Sequence, residues 1–381
     1  MVKQFVRNLI YFFGKMFPIN NQKISLIVER YSGSNTLALY KYLPDDIKSK
    51  FDVSLVDLSP VTFGIGTSNK NDLLKSFLEI SRSKVIITDH GSRKLKGKQI
   101  NINTWHGFPI KSMGKMALGE AHLKIHRPPK VDYNISYSQL YSVLLSACFG
   151  FEAETFKILG APRNDFLFKS IGTSNLKKLL NVDIDEKKTI LFMPTFRQGY
   201  KGIEGERKNV FGLEDFNQRE LNSFLKLNNA ILIIKPHIVE LPYLIKELGA
   251  FEGQNIFVLT DEICKSNHID FYEVLNAVDI LVTDYSSVYF DFLLLDRPII
   301  FIPTELNIYL QKRGLLLEPY DFWTPGPKVF TQKEFQKKIV ESLKDPFNYS
   351  FNRNMISDIV HKFKDGNSAK RVWDFVRSLL T

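Results

Sequence analysis

The chain has 381 residues, 44% of them hydrophobic, and 51 Lys and Arg against 41 Asp and Glu give a net charge of +10, which allows two or three ordinary domains and excludes disorder or a fibrous repeat as the main description. Its two cysteines, Cys148 and Cys264, are too few and too far apart for a secreted disulfide scaffold or a zinc cluster, and fit a reducing cytoplasm. No apolar run reaches the roughly 18–20 residues of a membrane span, and no small-residue cleavage site follows the apolar start, so neither an integral protein nor an exported one is expected.

The first segment, MVKQFVRNLIYFFGKMF, sets Val2, Phe5, Val6, Leu9, Phe12, Phe13, Met16 and Phe17 at helical spacing, with Lys3, Arg7 and Lys15 off that stripe. The pattern predicts an amphipathic helix over residues 1–18 whose rings enter the acyl boundary of an anionic membrane while its cations meet headgroups; the plainer alternative is a helix packed on its own domain.

After Pro18 short β-branched runs alternate with helical stretches. Strands are expected at 24–28, 53–56, 85–88, 100–104 and 133–136, then at 190–193, 230–234, 256–259, 280–282 and 299–302. Runs that are apolar on both faces and separated by helices indicate buried parallel strands, and ten of them exceed one comfortable open sheet. The Ser, Gly, Asn and Lys-rich stretch 169–188 is the natural break. Two Rossmann-like domains follow, 19–168 and 185–365, with a ligand cleft between them, because open α/β sheets bind ligands beyond the carboxyl ends of their strands.

Those strand ends are polar: Asp89 and His90 after VIITD, His106 after INTW, Arg197 after ILFMPT, Lys235 and His237 in ILIIKPH, and Asp284, Ser286 and Ser287 in ILVTDYSS. Any single one reads equally well as a satisfied structural residue; their convergence on one rim points to a site. Val288–Leu295 reads as an amphipathic helix, so Ser286 and Ser287 either receive a phosphate at its N-terminus or simply cap it. Arg197 supplies a planar fork for phosphate oxygens, and Lys235 with His237 a point charge and a ring donor. Asp89 and Asp284 form no Mg²⁺ cluster and the histidines have no zinc spacing, so no cofactor is required and Mg²⁺ lacks support. No GxGxxG or GxxxxGK[ST] is present. His106, in TWHGFPIKSMG, suits removal of a hydroxyl proton near neutrality, or else a hydrogen bond across the domain interface.

The charge is uneven: residues 1–150 carry 21 basic and 10 acidic side chains and residues 151–381 carry 30 and 31. A basic half faces nucleic acid, an anionic membrane or an anionic polymer, and charge alone does not choose among them.

The segments WHGFPIKSMG, LGAPRNDFL, ILFMPTFR, IIKPH and VTDYSSVYFDFLLLDRPIIFI occur in this order, and from about Ile24 onward the chain resembles the CDP-glycerol:glycerophosphate glycerophosphotransferases of teichoic acid priming and polymerisation. The resemblance implies a GT-B fold with a helix at 366–381 crossing back to the first domain, and a monotopic protein on the cytoplasmic face of the membrane. It implies transfer of glycerol phosphate from CDP-glycerol to a hydroxyl of a lipid-linked acceptor, with CMP released and no role for nucleic acid. His106 matches the family's general base, with His237 as its catalytic partner. Arg197, His237, Ser286 and Ser287 match positions around the donor pyrophosphate, flanked by Thr195, Lys235 and Asp284. Asn35, Asp89 and Lys111 fall on the acceptor side. Ser34 stands where the family usually carries an acid, which leaves acceptor identity open. CDP-ribitol transfer and GT-B glycosyl transfer from a nucleotide sugar are the alternatives.

Overall fold

The computed structural model describes residues 14, 16–67, 69–118, 130–196, 209–238, 240–241 and 255–380. The amphipathic stripe at the start and Arg197 therefore lie outside the described residues, apart from Gly14, Met16 and Phe17.

Among the described residues, eleven parallel strands form two sheets. The first contains β1 (Asn20–Val28), β2 (Asp52–Asp57), β3 (Ser83–Thr88), β4 (Ile100–Asn103), β5 (Tyr133–Ser136) and β6 (Phe156–Ile158), ordered β2-β1-β3-β4-β5-β6. The second contains β7 (Lys188–Phe192), β8 (Ala230–Ile234), β9 (Ile256–Val258), β10 (Ile280–Thr283) and β11 (Ile299–Phe301), ordered β11-β10-β7-β8-β9. The strands that read as continuous apolar runs are the buried ones: all five residues of β8 are buried, as are Ile24–Val28 of β1. Strand β6 is absent from the sequence reading because it is a half-buried edge of three residues, FKI, with a lysine in the middle.

Both sheets reverse strand order once, between β1 and β3 in the first and between β7 and β10 in the second. At such a switch the connections leave in opposite directions and open a crevice beyond the strand ends. The segments 29–32 and 89–90 border the first crevice, and 193–196 and 284–287 the second.

The stretch 169–188 carries the helix Gly172–Leu180, which buries Leu176 and Leu179 and packs on the 3-10 helix Phe271–Ala277 of the second domain. The helix Val288–Phe292 is shorter than the sequence suggests and ends in a 3-10 turn, Leu293–Leu295. It is not amphipathic either: every residue from Val288 to Leu293 is buried, because it is wedged between the domains.

The last helix, Ser368–Leu380, returns to the first sheet. Its first backbone N–H groups, on Ser368 and Ala369, donate to the Asp165 carboxylate at 2.9 and 2.8 Å, satisfying donors a helix start leaves open. Val372, Trp373 and Val376 join Ile24, Leu26 and Val85 in one core, and Trp373 Nε1 donates to the Leu39 carbonyl at 3.0 Å.

Apolar and backbone contacts also join the domains. The Phe108 and Phe290 rings lie 4.7 Å apart within a core drawing on both. Segment 110–112 pairs antiparallel with 314–316, with Leu316 N–H donating to Ile110 O at 2.8 Å and Ser112 N–H to Gly314 O at 3.1 Å. Gly33 and Ser34 donate their backbone N–H groups to the Asp270 carboxylate at 2.8 and 3.0 Å. Gly33 has φ +84°, and a Cβ there would sit 2.4 Å from the Tyr272 ring, so only glycine allows this approach.

Candidate active site

Between the two sheets lies a cleft of about 230 Å³ walled by both domains. Of the residues singled out from sequence, His106 and Lys111 line it from the first domain, and Thr195, Lys235, His237, Ser286 and Ser287 from the second. Met193–Phe196 and Lys235–Ile238 reach it because they directly follow β7 and β8, and Ser286 and Ser287 because they follow β10.

Three residues stand behind the wall instead. Asn35 is fully buried; its amide donates to Trp105 O at 2.8 Å and its Oδ1 accepts from the Arg163 N–H at 3.0 Å. The Asp89 carboxylate accepts from Ser34 Oγ at 2.8 Å and Thr104 Oγ1 at 2.5 Å. Asp284 Oδ1 accepts from the Thr195 N–H at 2.8 Å, tying the two strand ends that flank the second crevice. All three are scaffolding for the loops, since their polar atoms are directed at neighbouring backbone and hydroxyls. Neither Asn35 nor Asp89 lines the cleft.

His106 is held on three sides. Its Nδ1 lies 3.2 Å from the Asp89 carbonyl; a carbonyl only accepts, so Nδ1 carries the proton and Nε2 is left as a lone-pair acceptor. The ring stacks on Trp105 at 4.4 Å and on His90 at 4.3 Å, and His90 Nδ1 lies 2.9 Å from Glu29 Oε2. Burial, with the adjoining His90, Arg30 and Arg163, pushes the His106 imidazole well below its ordinary range, against an opposing contribution from the Asp89 carbonyl. His237 is shifted in the same direction by burial and by Arg30, Lys111 and Lys235; its ring lies 4.6 Å from Phe196. Both rings are therefore neutral in this cleft near pH 7.

Gly107 follows His106 at φ +149°. A Cβ at this position would sit 2.7 Å from Ser287 Oγ and 3.1 Å from Arg163 Nη2, so glycine lets the His106 loop close onto the opposite domain. Ser287 adopts αR geometry and makes no side-chain capping bond, so the plain capping reading does not describe it.

Several cleft residues escaped the sequence reading: Arg30, Ser32, Trp105, Arg163, Asp261, Tyr272 and Arg313. Lys235 is buried and ion-paired with Asp261. Arg163 is ion-paired with Asp291 across the domain boundary. Arg30 and Ser32 follow β1, and the strand-end criterion applied elsewhere would have found them. Asp261, three residues after β9, meets the same criterion, whereas Tyr272 comes from deep in the connection between β9 and β10, where it does not apply. Among the described residues no group of three His, Cys, Asp or Glu is placed to hold a metal ion.

Two parallel-sheet domains with a cation-lined cleft at their switch points define a GT-B type of architecture. Comparison with known proteins gives the family. Residues 9–378 match the CDP-Glycerol:Poly(glycerophosphate) glycerophosphotransferase family, and the chain belongs to it. It is 30% identical to a teichoic acid poly(glycerol phosphate) polymerase of Bacillus spizizenii over 92% of this chain and 91% of that one. It is 29% identical to a teichoic acid glycerol-phosphate primase of Bacillus subtilis over 82% and 78% of the two chains. The fold matches the wall teichoic acid polymerase TagF with a TM-score of 0.74 at 21% identity, covering 98% of this chain and 93% of that one. A variant of that polymerase soaked with CDPG matches with a TM-score of 0.77 at 20% identity, over 98% and 93% of the two chains.

Proposed function

We propose that this protein transfers glycerol phosphate from CDP-glycerol to a hydroxyl of a lipid-linked acceptor in teichoic acid or related polymer synthesis, releasing CMP. Family membership supports the reaction class, and the polymerase and primase relatives, both glycerol phosphate proteins, favour glycerol over ribitol. One observation carries the reading: a neutral imidazole from the first domain, His106, opens on the same cleft as His237, Lys235, Ser286 and Ser287 from the second.

In this reading Nε2 of His106 takes the proton of the acceptor hydroxyl as its oxygen attacks the β-phosphorus. The bond from that phosphorus to the bridging oxygen breaks, and CMP leaves with the electron pair. Such transfer depends on positioning and charge stabilisation rather than on a covalent intermediate. Lys235, His237, Ser286, Ser287 and Thr195 hold the pyrophosphate, joined by Arg197, and Lys111 faces the acceptor. A neutral His237 donates one N–H to a phosphate oxygen and gains a proton more readily once the dianion is bound.

The acceptor being lipid-linked, the reaction belongs at the cytoplasmic membrane face. The Phe-rich, basic stretch 1–17 supports this, and no helix among the described residues is long and apolar enough to cross a membrane. Deleting residues 1–17 is expected to release the protein from anionic vesicles in a sedimentation assay.

Donor competition tests the reaction. With a lipid-linked glycerol phosphate acceptor, CDP-glycerol is expected to yield CMP faster than CDP-ribitol, and UDP-sugars to yield no UDP. Release of UDP from a UDP-sugar, with no CMP from CDP-glycerol, would overturn the reading.

A further inference from the structure

We propose that Arg30 and Ser32, at the carboxyl end of β1, form a subsite of the first domain that binds the transferring β-phosphate of the donor. The inference rests on the transfer reaction proposed above, and it adds a first-domain contribution to a pyrophosphate otherwise held from the second domain.

Topology puts these residues in position. They leave β1 at the point where the first sheet reverses its order, directly opposite the matching crevice of the second sheet, and both line the shared cleft. Arg30 is stacked on Phe63, its guanidinium carbon 4.1 Å from the ring centroid, an arrangement that fixes the plane of the fork.

The second observation is that each side chain carries a buried polar atom without a partner. Arg30 Nε and Ser32 Oγ are shut off from solvent and hydrogen-bond to nothing among the described residues. Elsewhere in the cleft Arg163 is ion-paired with Asp291, Lys235 with Asp261, and Arg313 Nε donates to the Ser112 carbonyl at 3.3 Å, while Arg163 Nε, like Arg30 Nε, hydrogen-bonds to nothing among the described residues. A buried guanidinium N–H and a hydroxyl without partners are unfavourable in isolation and favourable once an anion arrives. A phosphate accepts from both, and a guanidinium fork matches two of its oxygens.

Placement selects the β-phosphate over other anions. Arg30 and Ser32 line the cleft together with His106 of the first domain and His237 of the second, so an anion bound between those two walls is within their reach. In the reaction proposed, the only phosphorus lying between the base and the donor-binding histidine is the one being transferred.

CMP and CDP differ only by the β-phosphate, which makes them the probes. Calorimetry with wild type is expected to give tighter binding of CDP than of CMP. Arg30→Gln should weaken CDP about 10–100-fold while leaving CMP within about twofold; Arg30→Lys, keeping charge without the fork, should fall between. Ser32→Ala, a small change carrying little folding risk, should reduce the CDP preference in the same direction, and it decides the matter if Arg30→Gln does not fold. An unchanged CDP preference in the variants overturns the inference, whether or not the acceptor KM rises, as does equal weakening of CMP and CDP. If wild type binds neither nucleotide, the donor reading above fails first.

Discussion

Arg163 and Asp291 form an ion pair between the two domains, with side chains only 2% and 0% exposed. Asp291 also accepts from Asn164 Nδ2 at 3.0 Å and from Tyr272 OH at 2.9 Å, while Arg163 Nη1 donates to Gly33 O at 3.2 Å and to His106 O at 2.8 Å. The pair therefore binds the domains together and holds the backbone of His106 as well. Asp291→Ala leaves a buried cation uncompensated, a change that destabilises by about 3–5 kcal/mol. Urea unfolding is expected to show that loss; an unchanged midpoint would mean that the apolar and backbone contacts hold the domains without the pair.

Gly107→Ala tests how closely the His106 loop must approach the second domain. With a Cβ aimed at Ser287 Oγ, the loop or the serine must move by several tenths of an ångström, and misplacement on the 1 Å scale reduces rate by about 100-fold in well-positioned sites. The expectation is a fall in kcat/KM of at least about tenfold with unchanged far-UV circular dichroism. Wild-type activity in this variant would show that the gap at Gly107 has no catalytic importance.

Much of this was legible from sequence because buried parallel strands announce themselves. Each continuous apolar run became a strand, and reading the residues just after each run yielded His106, Lys235, His237, Ser286 and Ser287 as cleft residues, with Thr195 added by the family resemblance. The pattern was silent where local sequence does not encode the partner. Asp291 reads as a helix residue of an apolar segment, and only the tertiary fold brings Arg163 to it from 128 positions away. Asp89 and Asp284 look like site residues for the same reason that His106 does, a polar group at a strand end, and Asn35 does so through the family resemblance; what separates them is that their hydrogen bonds are already used inside the loops. The helix after Ser287 was misjudged because burial on all faces erases the polar stripe that marks an amphipathic helix.

The depressed imidazole of His106 has a pH signature. A general base must be neutral, and here the proton is lost at a pH below the ordinary histidine value of about 6.5 because of burial and the adjoining His90, Arg30 and Arg163. Activity should therefore persist as pH falls through about 6.5 and fail only further down. Stability has the same sign: below about 6.5 the unfolded chain binds protons that the folded histidines refuse, so the folded state weakens as pH falls. A kcat/KM profile already halved at or above pH 6.5 would contradict the assigned environment.

Trp373→Ala separates the last helix from the chemistry. It removes a fully buried ring and its 3.0 Å hydrogen bond to Leu39 O, with a destabilisation of about 3–5 kcal/mol expected. Thermal melting should move accordingly, while folded protein at low temperature keeps its KM for CDP-glycerol. A raised KM with an unchanged melting temperature would instead place this helix in substrate binding.

The most direct test of the account is CMP release from CDP-glycerol by His106→Ala beside wild type, with a defined lipid-linked glycerol phosphate acceptor and with donor affinity measured in parallel. The account predicts acceptor-dependent CMP release by wild type, a loss of about 100–10,000-fold in the variant, and a Kd for CDP-glycerol within about twofold of wild type, since the base contacts the attacking hydroxyl rather than the donor. Turnover in His106→Ala close to wild type would contradict it, because the first domain would then contribute no base to the reaction.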